Sequence, residues 1–291
     1  MNGLQGRVLR APSTRQRKRE ILMIYGHHAK LERWWGLVEN LRTYGTVTMP
    51  DLPGFGGMQS FYDIGQKPTL DNYADYLAAF IRMRYKRRRV SIVAVSFGFI
   101  VVTRMLQRYP DLAKKVDVLA SLVGFMHRDE FRATWAYRNG FRLFARLLAT
   151  RPVALVLRHV FLNGPTIRFI YAQLPAGKRR LSSMDALEAR RMLDYDVTLW
   201  HANHVPTHWR TTYEFLGLDN CQQKIDLPIY HVGSRNDHYF DNARIEAHMR
   251  TVFSDVHVTL IDAKAHTPSL LAGKRESGSM LPAGLRRALR G

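Results

Sequence analysis

The sequence predicts an α/β protein built on a mostly parallel sheet, and three observations lead to this fold class. Short β-branched apolar runs alternate along the chain with segments whose apolar residues recur at helical spacing. Such alternation is typical of parallel sheets that are covered by helices on both faces. The alternation stops after residue 124 and resumes near residue 221, which indicates an inserted segment that is helical only. We therefore predict a core of residues 1–124 and 221–291 and a helical cap of residues 125–220.

The predicted elements follow from apolar spacing and from turn residues. The predicted strands are residues 21–25, 46–49, 90–95, 116–123, 227–232 and 256–261. The predicted core helices are residues 31–44, 70–87 after a Thr69 cap, 97–109, 242–253 and a C-terminal segment that starts at Pro268. Parallel sheets bind ligands at the carboxyl ends of their strands, so the loops that follow these strands are where a site is expected.

Composition narrows the class of protein. The chain has 291 residues, of which 46% are apolar, enough for a substantial core. Its single cysteine, Cys221, excludes a disulfide framework and a metal site built from cysteines. No spanning helix or secretory segment is expected, and we predict a cytoplasmic protein. Residues 1–19 are basic and are interpreted as a short arm, with a targeting segment as the alternative.

The net charge is strongly positive, +20. Such a charge favours attraction to nucleic acid or to anionic lipid, but it carries no information about the fold. The chain has no fingerprint of a known nucleic-acid module, so a specific nucleic-acid partner is not expected.

The most informative motif is the turn that follows the third predicted strand. The run that ends at Val95 continues as Ser96-Phe97-Gly98, and a helical pattern begins at once. A serine on a sharp strand-to-helix turn needs small residues two positions before and after it, which here are Ala94 and Gly98. This context predicts an exposed nucleophilic hydroxyl on Ser96.

Two later strand ends supply the partners that such a serine needs. A hydroxyl is a poor nucleophile without a base, and the base needs an orienting acid. Asp237 follows the strand of residues 227–232, and His266 follows the strand of residues 256–261. Asp241 and Asp129 are alternative acids at this stage.

Together these pieces resemble the α/β-hydrolase superfamily over nearly the whole chain. The matching segments are residues 25–28, 51–56, 94–98, 233–237 and 265–266. The resemblance implies Ser96 as nucleophile, His266 as general base and acid, and Asp237 as the orienting carboxylate. It also implies an oxyanion hole formed by the backbone N–H groups of His27 and Phe97. Two departures are Ala94 in place of the first elbow glycine and Tyr25-Gly26 where many relatives have His-Gly.

The predicted function is hydrolysis of a carboxylic ester or thioester through an acyl-enzyme. A serine argues against the relatives that open epoxides or displace halide, because those use a carboxylate nucleophile. Two other functions remain open: carbon–carbon bond hydrolysis or acyl transfer on the same residues, and a scaffold that binds nucleic acid or an anionic surface. The substrate is expected to be a small or medium-sized, largely apolar carboxylic ester, with specificity set by the cap.

No organic cofactor or metal is expected. His201, His204 and His208 have a spacing that could place them near one helical face, but no acidic partner lies in register. Packing within the cap is the preferred interpretation, and the His27-His28 pair is expected to line the mouth of the site. A weak contact between the basic cap and an anionic membrane surface is a further expectation. The sequence leaves the oligomeric state open.

Overall fold

In a computed structural model, which describes residues 3–173, 185–263, 266 and 273–291, the chain forms a seven-stranded sheet flanked by helices. The strands are β1 (Val8–Ala11), β2 (Glu20–Ile24), β3 (Thr46–Pro50), β4 (Val90–Val95), β5 (Val116–Leu122), β6 (Ile225–Ser234) and β7 (Phe253–Ile261). The predicted α/β-hydrolase fold class is confirmed, and each of the six predicted strands is present with small shifts at its ends.

The strands lie in the order β1-β3-β2-β4-β5-β6-β7. Every neighbouring pair is parallel except β1 and β3, which are antiparallel with Val8 opposite Pro50 and Ala11 opposite Val47. The interpretation of residues 1–19 as a basic arm was therefore wrong for residues 8–11, which form β1. The sequence signal for this strand is weak because an edge strand that is short and mostly exposed has no continuous apolar run.

Helices cover both faces of the sheet and fill the insertion. The core helices are α1 (Trp35–Leu41), α2 (Leu70–Arg84) and α3 (Phe97–Arg108). Between β5 and β6 the described residues form α4 (Trp135–Leu148), α5 (Arg151–Val156), α6 (Gly164–Gln173), α7 (Ala186–Ala202) and α8 (Val205–Leu216). After β6 come α9 (Asn242–Val252), α10 (Lys274–Gly278) and α11 (Ala283–Arg290). The predicted helix start at Pro268 lies outside the described residues.

The start of α2 and the connection between α5 and α6 show how local sequence shapes the helices. Thr69 begins α2 as predicted, because its hydroxyl accepts a hydrogen bond from the Asn72 N–H at 3.2 Å. Between α5 and α6, a π-helical turn (Leu157–Phe161) continues the chain. The described residues contain no single helix with the length and apolar composition needed to cross a bilayer.

A buried carboxylate organises the loop after β3. Asp51 accepts hydrogen bonds from Tyr25 Oη at 3.0 Å and from Arg7 Nε at 2.9 Å. Gly56 approaches so closely that a Cβ there would lie 2.1 Å from Asp51 Oδ1. Burial raises the pKa of Asp51 to about 6, although the charge of Arg7 and the Tyr25 hydrogen bond act against that increase. The motif of residues 51–56 thus has a structural role in shaping this loop.

Arg7→Ala is expected to lower the free energy of unfolding at pH 8 by about 2 kcal/mol, because it leaves the Asp51 carboxylate buried without its cation. Since folding raises the Asp51 pKa, the group itself stabilises the fold below pH 4 and loses that contribution as the pH rises through about 6. The Arg7 ion pair contributes only where Asp51 is charged. The loss caused by Arg7→Ala should therefore shrink when denaturant unfolding is repeated at pH 5.

Glu32→Gln is the control for this variant. Glu32 is the second partner of Arg7, at 2.6 Å, and both side chains are about half exposed. Removing this exposed pair is expected to cost under about 1 kcal/mol. An Arg7→Ala loss that is equal at pH 5 and pH 8 would contradict the ion-pair explanation.

Candidate active site

Ser96 lies on the tight turn between β4 and α3. Its backbone is in an unusual conformation, with φ 48° and ψ −116°, and its amide N–H is held by the Leu122 carbonyl at 2.9 Å. A non-glycine residue with positive φ stores strain that the surrounding structure must hold in place. Gly98 allows the turn to close, because a Cβ there would lie 2.5 Å from the Ile24 carbonyl oxygen. The turn therefore holds the Ser96 hydroxyl at the carboxyl end of the sheet.

The structure brings Ser96, His266 and Asp237 into one hydrogen-bonded chain. The Ser96 Oγ atom lies 3.0 Å from Nε2 of His266, and Nδ1 of the same ring lies 2.6 Å from Asp237 Oδ2. With the ring proton on Nδ1, His266 donates to Asp237 and its free Nε2 accepts from the serine hydroxyl. Three residues from three strand ends, up to 170 positions apart, thus meet at one point.

The surroundings of Asp237 stabilise its charged form. Its other oxygen, Oδ1, accepts backbone N–H hydrogen bonds from Tyr239 at 2.9 Å and Phe240 at 3.2 Å. Burial alone would raise the pKa of this carboxyl, but the hydrogen bond and charge of His266 and the two N–H groups outweigh burial, so the pKa lies below its ordinary value. A charged, fixed carboxylate is what an orienting acid requires.

The two alternative acids have other partners. Asp241 caps α9, where its Oδ1 accepts from the Ala243 and Arg244 N–H groups. Asp129 forms an ion pair with Arg138 at 3.2 Å, and half of its side chain is exposed. The hydrogen bond to His266 thus comes from Asp237, which favours Asp237 over both alternatives.

The loop after β2 lies directly beside the serine. A Cβ added to Gly26 would lie 3.3 Å from Ser96 Cβ. Phe97 is the first residue of α3, so its N–H belongs to the positive end of the helix dipole. The His27 ring contacts the Phe97 ring at a centroid distance of 5.5 Å. The backbone of residues 26–27 and the start of α3 therefore flank the serine from two sides, as an oxyanion hole requires.

His27 is held by the insertion rather than by the core. Its Nε2–H donates to Thr211 Oγ1 at 2.8 Å and points toward the His208 carbonyl at 3.2 Å. Burial lowers the pKa of His27 to about 3, so the ring is neutral at physiological pH. Neither Thr211 nor His208 was selected as a site residue from the sequence. Their roles depend on how α8 packs over the β2 loop.

The rings of His27 and His28, which are expected to line the mouth of the site, lie against the insertion. Both rings are only partly exposed, and each packs against His208, with centroid distances of 4.4 Å and 4.8 Å. The pair thus forms the contact between the β2 loop and α8. His28 also contacts Trp200 at 4.2 Å, and burial lowers its pKa to about 3.

The candidate cluster of His201, His204 and His208 does not share one helical face. His201 is exposed in α7, His204 lies at the break between α7 and α8, and His208 is in α8. The break follows Asn203, whose side chain accepts from the Gly56 N–H at 2.8 Å. In the described part of the chain, no group of three or more His, Cys, Asp or Glu side chains is placed to hold a metal ion.

Aromatic rings surround the side of the site next to His266. The Phe240 ring lies 5.1 Å from the His266 ring and stacks on Phe125 at 4.3 Å. Phe125 contacts Phe215 of α8, which in turn contacts Phe97. These phenylalanines come from four separate segments, so only the fold shows that they form one apolar wall. Such a wall suits an apolar group on a substrate.

The arrangement can move one proton between a hydroxyl and an imidazole and can stabilise the resulting cation. Ser96 Oγ is within hydrogen-bond reach of His266 Nε2, so attack by the oxygen and transfer of its proton can be concerted. Asp237 then faces an imidazolium across a short hydrogen bond. This chemistry is that of nucleophilic catalysis by serine.

Comparison with known proteins agrees with the fold. A family model described as the alpha/beta hydrolase fold matches residues 21–271. No curated protein matches the chain. Among solved structures, the chain is similar to a thermophilic esterase from Thermogutta terrifontis, with TM-score 0.67, 14% identity, and 99% of this chain and 95% of that chain covered.

Two further solved structures are similar over almost their full length. An esterase from Exiguobacterium antarcticum has TM-score 0.69 and 11% identity, with 100% of this chain and 97% of that chain covered. An enol-lactonase from Burkholderia xenovorans has TM-score 0.66 and 12% identity, with 100% and 98% covered. At such identities these likenesses show the shared fold.

Proposed function

Since the chain belongs to the α/β-hydrolase fold family, we propose that it is a serine hydrolase that cleaves a carboxylic ester or thioester through an acyl-enzyme. The single observation that carries this proposal is the hydrogen-bonded chain from Ser96 through His266 to Asp237. A scaffold that only binds a partner has no need for a strained serine aligned with a base and a buried acid.

The first half of the reaction acylates Ser96. Ser96 Oγ attacks the carbonyl carbon while His266 Nε2 takes its proton, and the carbonyl oxygen becomes an oxyanion. The N–H groups of His27 and Phe97 are the proposed donors to that oxygen. Loss of one such donor typically costs about 100- to 1000-fold in rate. The tetrahedral intermediate then collapses, and His266 gives its proton to the leaving alcohol or thiol.

The second half releases the acid. His266 removes a proton from a water molecule, whose oxygen attacks the acyl carbon. Collapse of the second intermediate breaks the bond to Ser96 Oγ, which recovers its proton from His266. Asp237 keeps the ring oriented and stabilises its cationic form in both halves.

The surroundings of the site support an apolar acyl substrate. The aromatic wall of Phe125, Phe215 and Phe240 lies beside His266. The insertion of residues 125–220 is proposed as a cap that covers this wall, because α8 supplies Phe215 and holds His27. Esterases and an enol-lactonase among the similar structures are in keeping with an ester substrate.

Labelling with a fluorophosphonate probe tests the proposal. The wild-type chain is expected to react covalently, whereas Ser96→Ala and His266→Ala are expected to lose labelling, because the probe requires an activated serine. Ser254→Ala removes an exposed serine on β7 and is the matched control. Thermal unfolding of each variant checks that the fold is retained.

Either of two outcomes would contradict the proposed mechanism. One is a folded wild-type chain that does not react with the probe. The other is full labelling of Ser96→Ala, which would place the reactive group elsewhere.

A further inference from the structure

Exposed apolar side chains are concentrated on the insertion. Of the sixteen large apolar side chains that are exposed among the described residues, twelve lie between Trp135 and Leu187. Trp135 is 72% exposed, Leu143 64% and Phe169 64%. Monomeric proteins rarely expose large contiguous apolar patches, and those that they do expose mark interaction sites. The exposed apolar residues of α4, α5, the π-helical turn and α6 are called the cap outer face.

The same segment carries positive charge without any negative charge. Residues 131–184 contain nine arginines and one lysine and no aspartate or glutamate. Arg146, Arg151 and Arg158 are exposed, and none of them forms an ion pair with another described residue. Unpaired cations beside apolar side chains are complementary to a surface that is both anionic and apolar.

The cap outer face is formed by side chains that remain exposed when α4 packs on α8. α8 packs on the site through His208, Thr211 and Phe215, and α4 packs on α8 through Phe141 and Trp209, with ring centroids 6.2 Å apart. The segments α4, α5, the π-helical turn and α6 contact one another in sequence. The helical segments Arg151–Phe161 and Gly164–Gln173 are long and apolar enough to cross a bilayer only when taken together, and they bend by 82° at the break between them. This bent pair suits shallow insertion into one leaflet.

We propose that the cap outer face docks the protein on an anionic lipid bilayer. Helices with arginines beside Trp, Phe and Leu bind at the boundary between head groups and acyl chains, through buried apolar area and attraction to anionic lipid. Nucleic acid would match the charge but not the exposed leucines and valines. A second copy of this chain would match the apolar residues, but it would place two uncompensated cationic faces against each other.

Docking requires no catalytic group, so this proposal and the proposed hydrolysis can each fail without affecting the other. Vesicle binding is measured by co-sedimentation at low ionic strength, with phosphatidylglycerol–phosphatidylcholine vesicles and with phosphatidylcholine vesicles alone. The wild-type chain is expected to bind the anionic vesicles more tightly, and added salt is expected to weaken binding because it screens exposed charges.

A charge-matched pair of variants locates the contact. Arg146→Gln, Arg151→Gln and Arg158→Gln together are expected to weaken binding to the anionic vesicles by about 100-fold, at roughly fivefold for each basic residue near the surface. The control is Arg84→Gln, Lys86→Gln and Arg87→Gln, which removes the same charge from the exposed last residue of α2 and the turn that follows it. This control is expected to retain binding within about fivefold, since general attraction to the surface is weaker than direct contact.

A second pair of variants tests insertion of the apolar side chains. Leu143→Ser, Leu147→Ser and Leu155→Ser remove three leucines that are 64%, 55% and 57% exposed. They are expected to weaken binding by at least tenfold, because each buried methylene contributes. Val8→Ser and Met83→Ser, at exposed positions outside the insertion, should leave binding unchanged. The unfolding temperature of every variant is measured to separate lost binding from lost structure.

Three results would overturn the proposal. The first is absence of wild-type binding to anionic vesicles. The second is an equal loss in the cap and α2 charge variants, which would indicate only nonspecific attraction. The third is unchanged vesicle binding by the leucine variant or by the arginine variant. If the leucine variant instead dissociates from a dimer in analytical ultracentrifugation, the face binds a second copy of the chain. If the arginine variant instead loses only DNA binding, the face binds nucleic acid.

Discussion

Ser96→Ala is expected to lower kcat/KM for a short p-nitrophenyl ester by about 10⁴- to 10⁶-fold. The variant removes the oxygen that would form the acyl-enzyme, while the backbone N–H donors and the apolar wall remain. Those remaining groups can still bind and polarise an ester, so a small rate above the solution background is expected. The measurement is steady-state hydrolysis with purified wild-type and variant chains at the same concentration.

The kinetic result needs its own controls. Ser96 has a positive φ, so Ala at this position keeps the same backbone strain and should fold. Ser254→Ala, which replaces a serine on β7 outside the site, is prepared in the same way and should keep the wild-type rate. His266→Ala is expected to lose about as much activity as Ser96→Ala, because the two groups act as a unit. Ester hydrolysis by Ser96→Ala at more than a tenth of the wild-type rate would contradict nucleophilic catalysis by this residue.

Asp237→Asn is expected to lower kcat by about 10⁴-fold. An asparagine is nearly the same size, but it carries no charge and can present an N–H to His266. The ring would then favour the tautomer whose Nε2 carries the proton, which cannot accept the proton of Ser96. Because the Asp237 pKa lies below its ordinary value, the wild-type group is charged at neutral pH, and the comparison is made at pH 7 to 8.

Two aspartates in the same region provide matched controls. Asp241→Asn removes a charge four residues away but leaves a side chain that caps helices well, so activity should stay within a few-fold of wild type. Asp129→Asn removes the charge that pairs with the buried Arg138 guanidinium, and because this pair does not involve His266, activity should also be kept. If Asp241→Asn or Asp129→Asn costs more activity than Asp237→Asn, the assignment of the orienting acid is wrong.

The insertion contacts the loops after β2 and β3 through specific hydrogen bonds. The ring of His27 reaches Thr211 of α8, and the start of α8 bonds back to the loop after β3 through the His204 N–H and the Gly54 carbonyl at 2.8 Å. The proposed oxyanion donor at His27 therefore lies on a loop that the insertion supports. If the proposed roles hold, changes in these contacts are expected to alter the rate of hydrolysis as well as substrate binding.

The parts of the fold that were predictable from the sequence share one property, which is strong local patterning. β2 and β4 are completely buried, so they appear as continuous apolar runs. Thr69 and the turn at Ser96 have local chemical signatures. β1 was missed because an edge strand with exposed residues lacks such a run. The histidine spacing was misleading because one helix ends at Ala202 and the next begins at Val205, between His201 and His208.

The sequence by itself determined the α/β class and placed Ser96, Asp237 and His266 after three strands in an order that a shared sheet edge can bring together. Strand ends are local features, so residue type and position along the chain were sufficient for this prediction. Only the tertiary structure decided that His266 bonds to Asp237 rather than to Asp241 or Asp129, because a hydrogen bond depends on ångström-scale placement. It also decided that α8 holds His27 and that α4 to α6 expose their apolar residues, since packing between distant segments has no local signature.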